Sequence, residues 1–404
     1  MKEYEIAIVG GGPAGIMAAI ASNSKNVVIL EKNQELGKKL LLTGGGRCNI
    51  TNNKPIKKLL DSYDDKNFLK HSFYTLTNEM LLELFEDKGM KFIEEDNNRL
   101  FPESENSKDV LKVLKEYLKD VEIIYGFDVY DISKEDDFFY INDSIKASKV
   151  IVATGGMTYK ETGSSGSGFK ILDCKRTKLK LGLAPLIVNY DFEQIAGITL
   201  YNVKVSYKDK SYLDDVLITH KGLSGPAILN ISNEISKDLD YDLLENYNVE
   251  LDNVKITIDL MPDINKEKLL SKLTKDFQAK GRVLLKNYLK FHLTNSFIPF
   301  FLHHTKIDGE VKLGNVLKED KKKLVDALKG LELEIIGFNS ALSKVTIGGI
   351  KTSAIDSKTM EYLDCEGLYF AGEILEPVGP SGGYNLKIAF STGYLAGLSA
   401  SKSI

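Results

Sequence analysis

A strand that ends in Gly10, Gly12 and Gly15 and resumes at once as an apolar helix leaves a chain like this few folds to choose from. Residues 4–9 alternate and then saturate with Ile and Val, the pattern of a strand buried on both faces of a parallel sheet. Residues 13–22 read as a helix and residues 27–30 as the next strand, closing a β-α-β unit. In G-x-G-x-x-G, Gly10 permits a sharp turn, Gly12 lets backbone approach a pyrophosphate, and Gly15 lets helix and strand pack closely. Exposed N–H groups and the positive helix end supply an anion site. Glu31 stands 21 residues after Gly10, at the end of the second strand. There a carboxylate can accept from both hydroxyls of an adenosine ribose and disfavours a 2′-phosphate. The expected ligand is an adenine dinucleotide other than NADP.

Composition narrows the class without choosing within it. A chain of 404 residues, 43% hydrophobic and 27% charged, buries a full core and has room for two or three domains. A formal net charge of −4 gives no overall pull toward nucleic acid or anionic lipid. The apolar runs are too short to span a bilayer, and Met1 leads directly into a strand with no secretory pattern. A cytoplasmic location and no membrane partner are expected. Cys48, Cys174 and Cys365 form neither a Cys-x-x-Cys pair nor part of a His/Cys cluster, so no disulfide scaffold and no metal site is expected.

Helical patterns follow at residues 79–88 and 107–119. Residues 127–132 and 138–141 read as paired antiparallel strands, and residues 149–153 as a buried strand ending in ATGG. After about residue 183 the texture changes to alternating runs such as YNVKVSY and NVKITIDL, an all-β region. Residues 266–331 are Lys-rich with helical spacing, and their lysines are expected to form a solvated face. LELEIIGF and KVTIGGI return to strand patterning, GLYFAGE is an apolar strand running into Gly, and residues 386–399 read as a helix with small residues on one side.

Two glycine-rich stretches separate FAD from NAD. LGKKLLLTGGGRCNITN, residues 36–52, is too glycine-rich for a second crossover helix and makes sense as backbone laid along a long cofactor, with Arg47 as a fixed charge and Asn49 as a hydrogen-bonding side chain. Near the C-terminus a strand delivers Gly372 and Glu373, and Gly382 and Gly383 lead to a helix beginning near Asn385. Glu373 is placed to bind ribityl hydroxyls, and a helix N-terminus stabilises the negative charge that collects on the pyrimidine edge of a reduced flavin. NAD needs neither.

The N-terminal fingerprint with Glu31, GKKLLLTGGGRCNITN, VIVATGGMTYKETGSSGSG, THKGLSGPAIL and LYFAGEILEPVGPSGGYNLKIAFSTG together resemble the bacterial flavoprotein family variously described as aminoacetone-oxidase-like and bile-acid-reductase-like NAD(P)/FAD-dependent oxidoreductases. The match covers nearly the whole chain. It implies an α/β fold: a glutathione-reductase-type, Rossmann-like FAD-binding domain (parallel sheet plus antiparallel crossover) over residues 1–188 and 344–404. An inserted β-barrel domain at 189–262 and 331–343 and a helical subdomain at 263–330 split it. It also implies tightly bound FAD, with Gly10, Gly12, Ala14, Gly15, Glu31, Lys32, Arg47, Cys48, Asn49, Val129, Ala153, Gly372, Glu373, Asn385 and Leu386 on cofactor-contacting positions. In the GEILEPVGPSGG turn Glu376 keeps the family's acidic character, whereas Val378 stands where a second acid is common.

Side chains for chemistry are fewer. Cys48 lacks the second thiol that disulfide exchange needs, which favours a cofactor-lining or packing role. Arg47 is a candidate for electrostatic help to the flavin or an anionic substrate, against a structural salt bridge. His220, before the Gly-rich turn of ITHKGLSGPAIL, is a candidate proton donor or substrate anchor, against a turn-stabilising hydrogen bond. Tyr384 and Tyr159 lie in glycine-rich turns expected to border the isoalloxazine, and Tyr384 is the candidate proton donor. GSSGSG at residues 163–168 has the wrong spacing for a second dinucleotide site and is expected to pack against the flavin domain. NAD(P)H, if it is the electron source, must meet the flavin directly.

The first expectation is a reductase passing hydride from reduced FAD to an unsaturated carbonyl or steroid-like small molecule. The alternatives are an aminoacetone-type amine oxidase using oxygen and a tRNA-binding or tRNA-modifying flavoprotein. The last rests on the Lys-rich helices alone, and stacking aromatics interleaved with those lysines are sparse.

Overall fold

The computed structural model describes residues 1–22, 24–247 and 249–402. The chain divides into two compact units, one of residues 1–181, 241–247 and 343–404 and the other of residues 182–240 and 248–342.

The first unit is built on strands β1 (Lys2–Val9), β2 (Val27–Glu31), β3 (Glu122–Tyr125), β4 (Ile132–Glu135), β5 (Phe138–Ile141), β6 (Ile145–Val152) and β7 (Leu368–Phe370). The side chains of β2 are buried throughout, and β1 is solvated at Lys2 and Glu3 and buried from Ile6 on. Both neighbours of β1 run parallel to it, with Ile6 opposite Val27 on one side and Lys149 on the other. β3 extends the parallel sheet beyond β2, and β7 lies beside the C-terminal half of β6. The β4–β5 hairpin continues the sheet antiparallel from the first half of β6. Its first strand starts at Ile132, not near residue 127 as patterning predicts. The Asn142 side chain explains this: it accepts from the N–H groups of Tyr130 and Asp131 and donates to Asp128 O, taking the backbone groups a ladder would use. Residues 127–131 therefore cross the end of β2 as a loop, with Phe127 N donating to Glu31 O at 3.0 Å.

Helices α1 (Pro13–Ala21) and α2 (Tyr384–Lys402) pack directly on each other. The small side of α2 is a requirement of this contact. A Cβ on Gly393 would lie 2.2 Å from Ala14 O, and one on Gly397 would lie 2.0 Å from Ala18 O. Replacing Gly397 by Val must push the helices apart, and we expect a loss of about 3 kcal/mol, measured by urea unfolding. Unchanged stability would show that the helices part without cost.

In the second unit six strands close into a barrel in the order Leu186–Val188, Gly222–Ser224, Lys210–Thr219, Thr199–Tyr207, Glu250–Asp259 and Leu331–Phe338. Leu186 pairs with Phe338 to complete the ring. LELEIIGF shows why a barrel forms, with Leu331, Leu333 and Ile335 buried and the residues between them exposed. Helices Lys266–Ala279, Leu285–Leu289, Ile298–Thr305 and Lys318–Lys329 are inserted before the last barrel strand. Strand patterning does not register that residues 241–247 return to the first unit. There Asp242 accepts from Arg176 at 2.7 Å and from Leu179 N at 3.3 Å, and Leu243 N donates to Leu179 O.

Candidate cofactor-binding site

The order β2-β1-β6-β7 places the carboxyl ends of four parallel strands side by side. Ligands of open α/β sheets sit outside such ends. Three strand spacings separate β2 from β7, roughly 14 Å, so a ligand touching both must be long. A cavity runs along this edge, lined entirely by the first unit.

At its β1 end the chain turns at Gly10, whose φ is +105° and whose Cβ would come within 2.6 Å of Ala153 O. Around Gly12 there is nothing within 4 Å of a Cβ position, so the backbone lies bare toward the cavity. Gly12 caps α1 without a side-chain hydrogen bond and Pro13 opens the helix, which leaves the first-turn N–H groups for an anion. Gly15 works beneath the cavity, where its Cβ would lie 1.9 Å from Gly10 O. The buried Glu31 carboxylate accepts from Gly11 N and from both Asn33 N and Asn33 Nδ2, each at 2.7 Å, so it also holds the glycine loop in shape.

Glu373, beyond β7, marks the other end. Its carboxylate takes the Lys39 ammonium at 2.6 Å and Thr346 N at 2.8 Å. This joins the loop after β2 to the C-terminal part of the chain. Asn49 makes a second such tie: with its amide turned to satisfy its neighbours it donates to Thr51 O and Leu100 O and accepts from Gly383 N. Asn52 Nδ2 reaches Gly382 O, and a Cβ on Gly383 would meet Thr51 backbone at 2.4 Å.

Of the residues singled out from the sequence, Gly10, Gly12, Ala14, Glu31, Lys32, Val129, Ala153, Glu373, Asn385 and Leu386 line the cavity. Others sit behind its wall. Gly372, with φ +81°, permits close approach to Ala14 and donates its N–H to Thr392 Oγ1. Cys48 is fully buried with φ +61°, and burial pushes its thiol up to about 12, so it stays protonated at neutral pH. Arg47 is held by Glu95 and Glu105 at 2.7 and 2.8 Å and stacks 4.1 Å from the Phe101 ring centre; the two carboxylates raise its pKa further. Its charge is already matched. Tyr384 is buried, its hydroxyl accepting from Lys54 Nζ at 2.8 Å and its carbonyl accepting from Tyr63. Tyr159 adopts φ +55° just ahead of the wall residues Thr162, Gly163 and Ser164. His220 is exposed on a barrel turn of the second unit.

The wall also uses residues that the sequence did not assign to the cofactor. GSSGSG supplies Gly163, Ser164 and Ser167, tethered by Asn33 Nδ2 to Thr162 O and by Lys32 Nζ to Ser165 Oγ. Thr154 Oγ1 and Ser164 Oγ are buried on the wall and have no hydrogen-bond partner among the described residues. Buried hydroxyls are rarely left so, and a ligand rich in hydroxyls and phosphate oxygens lying along the wall satisfies both. The ATGG and GSSGSG runs were the available signal for these positions. Together with the open space at Gly12, they make the cavity fit an FAD extended from the Glu31 end to the Glu373 end.

The protein-family model described as "HI0933-like protein Rossmann domain" matches residues 4–399. The chain is 28% identical to the ribosomal RNA dihydrouridine synthase of Haemophilus influenzae over 100% of both chains. It is 29% identical to the 3-dehydro-bile acid delta(4,6)-reductase of Clostridium scindens, covering 98% of this chain and 99% of that one. Among solved structures, 3-ketosteroid delta1-dehydrogenase from Sterolibacterium denitrificans overlays 100% of both chains with 11% identity and a TM-score of 0.48. The chain belongs to the HI0933-like Rossmann family and is an FAD-dependent oxidoreductase.

Proposed function

We propose that this protein is a reductase that saturates a carbon–carbon double bond conjugated to a carbonyl, drawing electrons from NAD(P)H. The observation that carries this reading is a shared chemistry in two relatives matched over their full lengths. Making dihydrouridine saturates the ring double bond next to a uracil carbonyl, and a delta(4,6)-reductase acting on a 3-dehydro-bile acid saturates double bonds conjugated to a ketone. When bound, FAD supplies the hydride transfer. The chain's own groups do the rest. Gly12 and the start of α1 would offer N–H groups to the pyrophosphate, Glu31 and Glu373 would take hydroxyls at the two ends, and the N-terminus of α2, at Asn385 and Leu386 on the wall, would meet charge gained on reduction. The buried, protonated Cys48 favours this route over thiol exchange.

The test is anaerobic reduction of the holoprotein followed by a panel of oxidants, with flavin absorbance as the readout. Reoxidation by a 3-keto-4-ene steroid or a simple cyclic enone supports the reading. Rapid reoxidation by oxygen alone, with peroxide released on adding aminoacetone, replaces it with an oxidase.

A second reading puts the reducible bond in a uracil of RNA. Residues 266–330 carry fifteen Lys and Arg against seven Asp and Glu in a chain of net charge −4, so positive charge is strongly concentrated there. Lys268, Lys272 and Lys275 are exposed along one face of Lys266–Ala279, and the exposed Phe291 ring has Lys280 Nζ 5.4 Å from its centre. Changing the three lysines to Glu is expected to weaken binding to a ribosomal RNA fragment at least tenfold and to lower the salt slope by about three, read by fluorescence anisotropy. Unaltered affinity and slope would remove the second reading.

A further inference from the structure

Lys344 is a charge without a counter-charge on the wall of the cavity. It is half-buried, and among the described residues no carboxylate lies within ion-pairing distance of its ammonium and no acceptor takes a hydrogen bond from it. Of the other lysines on the same wall, Lys39 is engaged by Glu373 and Lys32 by Ser165, while Lys38 follows Gly37, whose N–H donates to Gly11 O, and so stands at the glycine-loop end. Desolvation lowers the Lys344 pKa below the ordinary lysine value, and no neighbouring acid offsets it. A desolvated ammonium without a partner is unfavourable. A chain that keeps one on a ligand cavity can recover the cost from the ligand.

Its position says which part of the contents it meets. Two residues on, Thr346 donates its N–H to Glu373 and accepts from Met157 N at 2.7 Å. The backbone carrying Lys344 is therefore pinned at the Glu373 end, away from the glycine loop where a pyrophosphate belongs. At that end the start of α2 already faces the cofactor's pyrimidine edge in the reading above. The atom left to answer is on the substrate.

We propose that the Lys344 ammonium binds the carbonyl oxygen of the substrate and holds the negative charge that hydride transfer places there. This rests on the reading of the protein as a conjugated-carbonyl reductase. Hydride from the reduced cofactor forms the new C–H bond at the β-carbon, and the π pair of the double bond shifts to make an enolate whose oxygen accepts from Lys344. A proton from solvent water then adds at the α-carbon, so the alkene gains a hydride from the reduced flavin and a proton from water, two electrons and two hydrogens in all, while the flavin loses two electrons. An ammonium held in place and partly withdrawn from water stabilises such an oxyanion better than water does.

A phenolate is a stable mimic of that enolate oxygen. The oxidised holoprotein is titrated with 4-chlorophenol, following the long-wavelength band of a phenolate stacked on flavin. Wild type is expected to bind the phenolate and to ionise the phenol below its solution pKa. Lys344→Met is expected to bind roughly 30-fold more weakly, to lose that ionisation and to keep its full complement of FAD, whereas Lys344→Arg retains most of the binding. Equal phenolate binding by wild type and Lys344→Met overturns the proposal. So does loss of FAD in both variants, which would assign the amine to the cofactor. Lys344-dependent phenolate binding in a protein that no enone reoxidises would leave this site standing and sink the reductase reading. Enone turnover with Lys344-independent phenolate binding does the reverse.

Discussion

Glu373→Ala is expected to purify largely without flavin, with FAD affinity lowered about 100-fold or more. The substitution removes more than one acceptor for the ribityl chain. It releases the Lys39 ammonium and the buried N–H of Thr346, both of which now end on that carboxylate. A buried donor left unpaired costs about 1–3 kcal/mol, and the Thr346 segment also carries the wall at Lys344. Glu31→Ala should act in the same direction from the opposite end, since the backbone N–H groups of Gly11 and Asn33 both lose their acceptor. Flavin absorbance per polypeptide after gel filtration, and a fluorescence titration of the stripped protein with FAD, give the two readouts. If both variants stay fully yellow with wild-type affinity, the assignment of the two ends of the cavity is wrong.

Lys387→Met is expected to raise stability by about 2 kcal/mol near neutral pH and to lose that advantage as pH rises toward 10. Lys387 is fully buried in α2, its ammonium donating to Leu76 O at 2.6 Å, and burial pushes its pKa down to about 7 from 10.5 despite the opposing charge of Glu79. The unfolded chain keeps this proton up to about 10.5 and the folded chain gives it up near 7. Between those values the unfolded state binds more protons, so wild-type stability climbs with pH, by up to about 5 kcal/mol over the window. Methionine fills similar volume without the charge and removes that slope, but leaves Leu76 O, among the described residues, with the 3.5 Å contact from Ser391 Oγ. The variant should therefore lead at pH 7 and trail near pH 10. Urea unfolding of both proteins across this range decides it, and parallel stability curves would show that Lys387 is not desolvated as the fold implies.

Legibility in the sequence followed the range of the interaction. The β-α-β start could be read because its signals lie within about thirty residues: saturated apolar strands, glycines at fixed offsets and an acid at the second strand end. Alternation in LELEIIGF and NVKITIDL marked barrel strands for the same reason, since each residue's neighbour on the strand reports its face. The hairpin at β4 was misplaced by five residues because an asparagine beyond the second strand captured the backbone of the first. Arg47 looked available for the cofactor because nothing beside it in the chain is acidic. Its partners, Glu95 and Glu105, lie 48 and 58 residues away.

By itself the sequence determined the Rossmann start, the bare backbone at Gly12, the acid at Glu31 and the small face of the C-terminal helix, because backbone reach and steric size are local properties. Only the tertiary structure decided how charges are shared: Glu373 with Lys39 across 334 residues, Arg47 away from the cavity, and Lys344 on its wall with no acid to meet it. A side chain's charge is written in the chain, but its energy depends on what folding brings within a few ångströms and on how much water is left there.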